Sequence, residues 1–119
     1  MTVNERRQDF TWMVHLLINW AYSSGYKLAI GECTRTLEQQ KLYVSQGKSK
    51  TLDSKHLQGL AVDVSAWKEG KYLDKTEDYK YLGLYWESIG GRWGGRFGDD
   101  PNTEIIEGWD GMHFEYNKG

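Results

Sequence analysis

The sequence predicts an α+β domain, a small antiparallel sheet packed with helices, and three observations carry that prediction. Apolar residues recur at helical spacing in two separate stretches, residues 4–23 and 79–89. Between them Ala61 to Trp67 (AVDVSAW) alternates and is rich in valine, as a half-buried strand does. A last short strand, Met112 to Tyr116, closes the chain, so helices are set against a few short strands.

The first helix runs from about Asn4 to Ser23, with Phe10, Met13, Val14, Leu17, Trp20 and Ala21 on its apolar stripe and Gly25 as its stop. His15 lies beside the stripe and reads as a surface or structural histidine. Lys27 to Cys33 (KLAIGEC) reads as a short strand despite its glycine. A second helix spans Leu37 to about Gln46, with Thr36 as cap, Gln39 in the capping-box position and Gly47 as terminator. Lys48 to Lys55 is polar and reads as a loop, and Glu69-Gly70 turns the chain after the valine-rich strand. Tyr79 to Ile89 is helical through Leu82, Tyr85, Trp86 and Ile89 until Gly90-Gly91. The following glycine-rich region reads as irregular up to the final strand.

At 119 residues the chain is one domain, 1–119, large enough for a single core without disulfides. Six tryptophans, eight tyrosines and three phenylalanines supply large buried areas, which suits a small core. The net charge of −2 gives no overall attraction to nucleic acid or an anionic membrane. The single cysteine, Cys33, excludes an intramolecular disulfide and a cysteine-based zinc cluster, and its apolar neighbours make it a buried small side chain. Neither a secretory signal nor a membrane span of about 20 apolar residues is legible. The expectation is a monomer made in the cytoplasm without a signal peptide and without membrane insertion.

Of three histidines, two fall in short motifs: SKHLQGLAVD, which holds His56 and Asp63, and DGMH, which holds Asp110 and His113. Two imidazoles and one carboxylate are the inventory of a catalytic zinc site, with a fourth position left for water. Calcium and magnesium prefer all-oxygen shells. His56 and Asp63 are seven residues apart, which fits a loop that turns at Gly59 and enters a strand. The small Gly59 and Ala61 would let the backbone fold close to the ion, and His113 would come from a neighbouring strand. Asp110, three residues before His113, would sit at the open side as a general base and then as an acid. Arg35 offers a fixed cation for a developing oxyanion. Singly each motif occurs by chance; in this order they point to a hydrolytic metal site.

S-x-H-x-x-G-x-A-x-D followed by D-x-x-H-F-E resembles the zinc peptidases of bacterial cell walls. These include D-Ala-D-Ala carboxypeptidases, vancomycin-resistance dipeptidases and the L-alanyl-D-glutamate peptidases of phage endolysins. Thr34 to Gln40 resembles the family's arginine-bearing segment, and Gly90 to Phe97 (GGRWGGRF) its W-G-G segment. The resemblance implies one Zn2+ per chain held by His56, Asp63 and His113, Asp110 as catalytic carboxylate, Arg35 at the transition state, and Ser54 in support. It implies the small fold shared with DD-peptidases and the zinc domain of hedgehog proteins. Two departures stand out: Met112 where many endolysin relatives have proline, and a longer, more acidic stretch from Gly98 to Trp109. Aspartate rather than glutamate at position 110 leans toward the endolysin branch, with Asp99 and Asp100 as rival bases.

The implied function is hydrolysis of peptidoglycan stem peptides at the L-Ala–D-Glu bond, acting at the wall after release. No wall-binding module is expected, so the catalytic groove would provide wall affinity. Trp67, Trp93 or Trp109 would line that groove, and the Gly90 to Gly98 tract would form an open wall. A D-Ala-D-Ala carboxypeptidase or dipeptidase is the rival, and would need a cation such as Arg92 or Arg96 for the terminal carboxylate. A zinc-stabilised binding module without turnover is the third reading, and would need neither Asp110 nor Arg35.

Overall fold

The computed structural model describes residues 1–34, 36–47, 55–96 and 110–118. Helix α1 (Val3–Ser23) begins at Thr2, whose hydroxyl accepts from the Glu5 N–H at 3.1 Å while the Glu5 carboxylate accepts from the Thr2 N–H at 3.0 Å. This reciprocal pair satisfies two of the helix's unpaired donors. Phe10, Met13, Leu17 and Ala21 form its buried stripe, and Val14 and Trp20 flank it. Gly25 leaves the helix with φ +90, a conformation that costs other residues a steric clash. His15 is exposed and lies against Trp12.

Strand β1 is shorter than its sequence suggested, Tyr26–Ile30 rather than Lys27 to Cys33. The chain nevertheless stays beside its neighbour: the Gly31 N–H donates to the Asp63 carbonyl, and the Asp63 N–H donates to the Glu32 carbonyl. Cys33 is half-buried rather than fully buried. Helix α2 (Leu37–Ser45) is capped by Thr36, which accepts from the Gln39 N–H at 3.1 Å, and Gly47 follows with φ +74. A 3-10 turn, Lys55–Gln58, leads through Gly59 into strand β2 (Ala61–Lys68). Gly59 has φ +69 and faces the Arg7 guanidinium, and Arg7 Nε donates to the Gln58 carbonyl at 2.8 Å. Its small size therefore serves a turn against α1, and the expected role of letting the backbone approach an ion is replaced by that packing. Ala61 is fully buried and pairs with Glu115.

Glu69 and Gly70 both have positive φ, the geometry of a tight hairpin turn. They join β2 to strand β3 (Lys71–Leu73), which is too short to show a period in the sequence. A 3-10 turn, Thr76–Tyr79, precedes helix α3 (Lys80–Ser88), so Tyr79 belongs to the turn and not to the helix. The glycine-rich region expected to be irregular contains strand β4 (Gly91–Trp93) and a 3-10 turn, Gly94–Arg96. Strand β5 (His113–Tyr116) ends the fold. The sheet order is β1-β2-β5-β4 with β3 added to β2, and every pairing is antiparallel. Among the described residues no helix is long and apolar enough to cross a membrane.

Alternation along the strands sends Val62, Val64 and Ala66 of β2, Phe114 and Tyr116 of β5, and Trp93 of β4 into one core with α1 and α3. Trp86 of α3 sits at its centre, edge-on to Phe10 and Phe114 at 5.9 and 6.0 Å. The glycines of this region are contact points for the tryptophans. A side chain at Gly91 would overlap the Trp86 indole, and one at Gly83 or Gly95 the Trp93 indole. Over residues 91–95 the expected open groove wall is thus a layer packed against tryptophan rings, and residues 97 and 98 of that tract lie outside the described residues.

Gly83 lies inside α3, where alanine would raise intrinsic helix propensity. Overlap with Trp93 decides the sign: Gly83→Ala is expected to destabilise the fold by about 1–3 kcal/mol through overpacking, measured by urea denaturation.

Candidate metal and catalytic site

The face of the sheet opposite the core carries the chemistry. Strand register sets Asp63 of β2 directly across from His113 of β5. The 3-10 turn then brings His56 over the same point. His56 Nε2 lies 3.3 Å from Asp63 Oδ1, His113 Nδ1 lies 3.4 Å from the same oxygen, and the two nitrogens are 3.2 Å apart. These three atoms form a nearly equilateral triangle. A tetrahedral shell with metal–ligand bonds of about 2.0–2.1 Å has edges of about 3.3 Å, so a zinc-sized divalent ion fits one face of this set and keeps one position free. Among the described residues, no other group of three metal-ligating side chains comes together this way.

Both imidazoles are held in the tautomer that a metal needs. His56 Nδ1 donates to the Cys33 carbonyl at 2.8 Å, which leaves Nε2 with its lone pair toward the triangle. His113 Nε2 donates to Glu115 Oε1 at 2.8 Å, which turns Nδ1 toward the triangle. Glu115 is buried, reached by Arg92 at 3.7 Å, and shares a strand face with His113 because they are two residues apart. Glu115 was visible in the sequence as H-x-E on a strand but was given no role there. The Cys33 carbonyl is a backbone acceptor with no sequence signal.

The charges show what the cluster lacks when no ion is bound. Burial opposes ionisation of Asp63, but hydrogen bonds from His113 and His56 outweigh it and hold the carboxyl well below the usual range. Burial likewise opposes a charge on His113. Hydrogen bonds to Asp63 and Glu115, with the charges of Asp110 and Glu115, overcome it and push the imidazole up to about 9. A divalent ion replaces the proton that these carboxylates otherwise attract.

Asp110 is half-exposed at the edge of the triangle, with Oδ2 3.9 Å from His113 Nδ1. Its backbone is fixed from two sides. The Asp110 N–H donates to the Gly94 carbonyl, and the His113 N–H donates to the Asp110 carbonyl at 3.0 Å. A side chain at Gly94 would strike that carbonyl. Trp93 donates its indole N–H to the Gly111 carbonyl at 2.7 Å and is fully buried. Trp93 therefore supports the Asp110 turn from the core, and its expected place on a substrate groove is corrected. Arg96 is mostly buried beside Glu87 at 3.2 Å, and Arg92 lies beside Glu115. Arg35, Ser54, Asp99, Asp100 and Trp109 lie outside the described residues.

The helix-backed antiparallel sheet is a DD-peptidase-like fold, and solved peptidase structures share it. The Serratia marcescens L-Ala D-Glu endopeptidase ChiX superposes with a TM-score of 0.69 at 24% identity, over 92% of this chain and 79% of that one. A vancomycin resistance D,D-pentapeptidase VanY, solved with Zn(II), gives a TM-score of 0.61 at 21% identity, over 92% and 71%. The LD-carboxypeptidase LdcB gives 0.60 at 20%, over 90% and 56%. At these identities the likeness is one of fold. In sequence, residues 5–116 match the family described as phage L-alanyl-D-glutamate peptidase, and the chain belongs to that family. The L-alanyl-D-glutamate peptidase of Listeria phage A118 is 36% identical over 113 residues, 87% of this chain. The chain spans about two fifths of that relative's length, 39%.

Glu115 fixes His113 without touching the triangle, so Glu115→Ala separates orientation from ligation. It is expected to keep the fold and weaken divalent-metal affinity by about 10–100-fold, measured by competition with a chromogenic chelator.

Proposed function

We propose that this domain is a zinc-dependent peptidase that hydrolyses peptidoglycan stem peptides between L-alanine and D-glutamate. The observation that carries the reading is the 3.2–3.4 Å triangle of His56, Asp63 and His113 with Asp110 beside it, in a member of the phage L-alanyl-D-glutamate peptidase family. His56, Asp63 and His113 would hold one Zn2+, and two nitrogens with one oxygen favour zinc over harder cations. When bound, zinc supplies Lewis acidity toward a carbonyl and brings the pKa of water down to about 7.

The chain's own groups do the rest. Asp110, half-exposed and anchored by Gly94 and Trp93, takes the proton of the attacking water and returns it to the departing amine of D-glutamate. Arg35 stabilises the oxyanion that develops on the L-alanine carbonyl. Ser54 supports the site. The domain works as a monomer on its wall substrate, after release from the cytoplasm where it is made.

The carboxypeptidase reading needs a cation that closes one end of the groove. Arg96 is withdrawn into its contact with Glu87, and Arg92, half-exposed beside Glu115, is the cation that reading would use. A binding module without turnover gives no reason for a carboxylate anchored 3.9 Å from a ligand atom.

Digestion of purified peptidoglycan, read by mass spectrometry, is expected to yield a new amino terminus on D-glutamate and no free D-alanine. Release of D-alanine alone from a pentapeptide would transfer the domain to the carboxypeptidases. Asp110→Ala is expected to keep zinc and fold while losing hydrolysis by roughly a hundredfold or more. Unimpaired turnover in that variant would remove Asp110 from the mechanism.

A further inference from the structure

The sheet face that carries the triangle continues beyond it. Along β2 the side chains of Asp63, Ser65 and Trp67 share this face, and the register sets Lys27 of β1 and Tyr72 of β3 on either side of Trp67. The Trp67 and Tyr72 rings lie 5.3 Å apart, inclined at 56°, and Tyr72 is 46% exposed. Past Trp67 the surface dips into an open, mostly apolar depression of about 510 Å³, lined by Gly25, Lys27, Trp67, Glu69 and Gly70. In the other direction the Tyr72 hydroxyl reaches Met112 Sδ at 4.0 Å, and Met112 directly precedes His113. A continuous strip thus joins the triangle to the depression.

Core packing does not account for this strip, because the core lies on the other face of the sheet and includes neither ring. Its chemistry selects a neutral ligand with an apolar face and a polar edge. Trp67 and Tyr72 offer ring surfaces for stacking, while Lys27 and Glu69 place one cation and one anion at the rim. A saccharide ring meets that description, with its C–H face on the aromatics and its hydroxyl and acetamido groups at the rim. An anionic peptide end would be drawn instead to the opposite flank, where Arg92 of β4 faces the same side as Glu115.

The span also fits. Trp67 is four residues from Asp63 along the strand, about 13 Å at the usual rise. In the substrate, L-alanine and a lactyl group separate the scissile carbonyl from the first amino sugar, about two residue lengths or ~7 Å. The glycan therefore begins short of Trp67, and its following sugar overlies it.

We propose that Trp67 and Tyr72, with Lys27 and Glu69 at the rim, form a subsite for the N-acetylated amino sugars of the glycan strand that bears the scissile stem peptide. The inference rests on the proposed cleavage of the L-Ala–D-Glu bond and adds that the enzyme reads the sugar beside it. Two substrates with the same peptide test it: a free stem peptide acetylated at its amino terminus, and the same peptide attached through the lactyl group to a disaccharide. The wild-type kcat/KM is expected to be about tenfold higher on the glycan-bearing substrate, the scale of one good aromatic contact. Trp67→Ala and Tyr72→Ala should bring the ratio of the two values to within about twofold of one, and Trp67→Phe should keep most of the preference. A wild-type ratio near one would overturn the subsite. So would a ratio that survives in both alanine variants, including variants that slow both substrates equally because the rings hold the peptide or the fold. Failure of the wild type to cut the L-Ala–D-Glu bond in either substrate is a different result, and would overturn the proposed function together with this subsite.

Discussion

The antiparallel pairing of β2 with β5 is the constraint on which the site depends. It sets Asp63 opposite His113, and a slip of one residue would turn His113 to the core and Phe114 to solvent. Three short pairs would hold such a register weakly. Two buried indoles reinforce it from the core: Trp86 donates to the Glu115 carbonyl at 2.9 Å, and Trp93 donates to the Gly111 carbonyl at 2.7 Å. They grip β5 and the turn before it, on either side of His113. Glycines at 83, 91 and 95 let those indoles lie against α3 and β4. The aromatic core is therefore the device that places the metal-ligating residues, and the catalytic face inherits its precision from the opposite face.

The same arrangement explains why three polar, partly buried groups gather at one point. Asp63, Glu115 and Asp110 put negative charge around His113, and no arginine or lysine among the described residues enters the triangle itself. Such a site favours a cation, because partly buried carboxylates near one another are costly to keep ionised without one. Without an ion, a proton on His113 serves as the substitute. Glu115 and the Cys33 carbonyl then decide which nitrogen of each ring faces inward, so the ligands are oriented before any ion arrives.

Much of this was legible in the sequence where periodicity or rarity spoke. The stripe of α1 and the alternation of β2 fixed two of the main elements, and two of only three histidines fell in motifs that the fold brings together. Strands β3 and β4, three residues each, gave no period to read. Trp93 was expected on a groove because one tryptophan's burial cannot be read from its neighbours. The glycines beside it suggested an open surface when they were in fact room for its ring. Glu115 stood two residues from His113 and escaped notice because its role needs the strand geometry to be known. The Cys33 carbonyl could not have been found at all, since any residue carries one.

The central claim is that His56, Asp63 and His113 form one preorganised zinc site whose integrity depends on the strand pairing. Elemental analysis of the purified protein, beside His113→Ala, tests it most directly. The account predicts about one zinc per chain in the wild type, leaving one coordination position open, and almost none in the variant at unchanged circular dichroism. A wild-type protein that binds no zinc and stays fully active in chelator, or a variant that keeps its zinc, would contradict it.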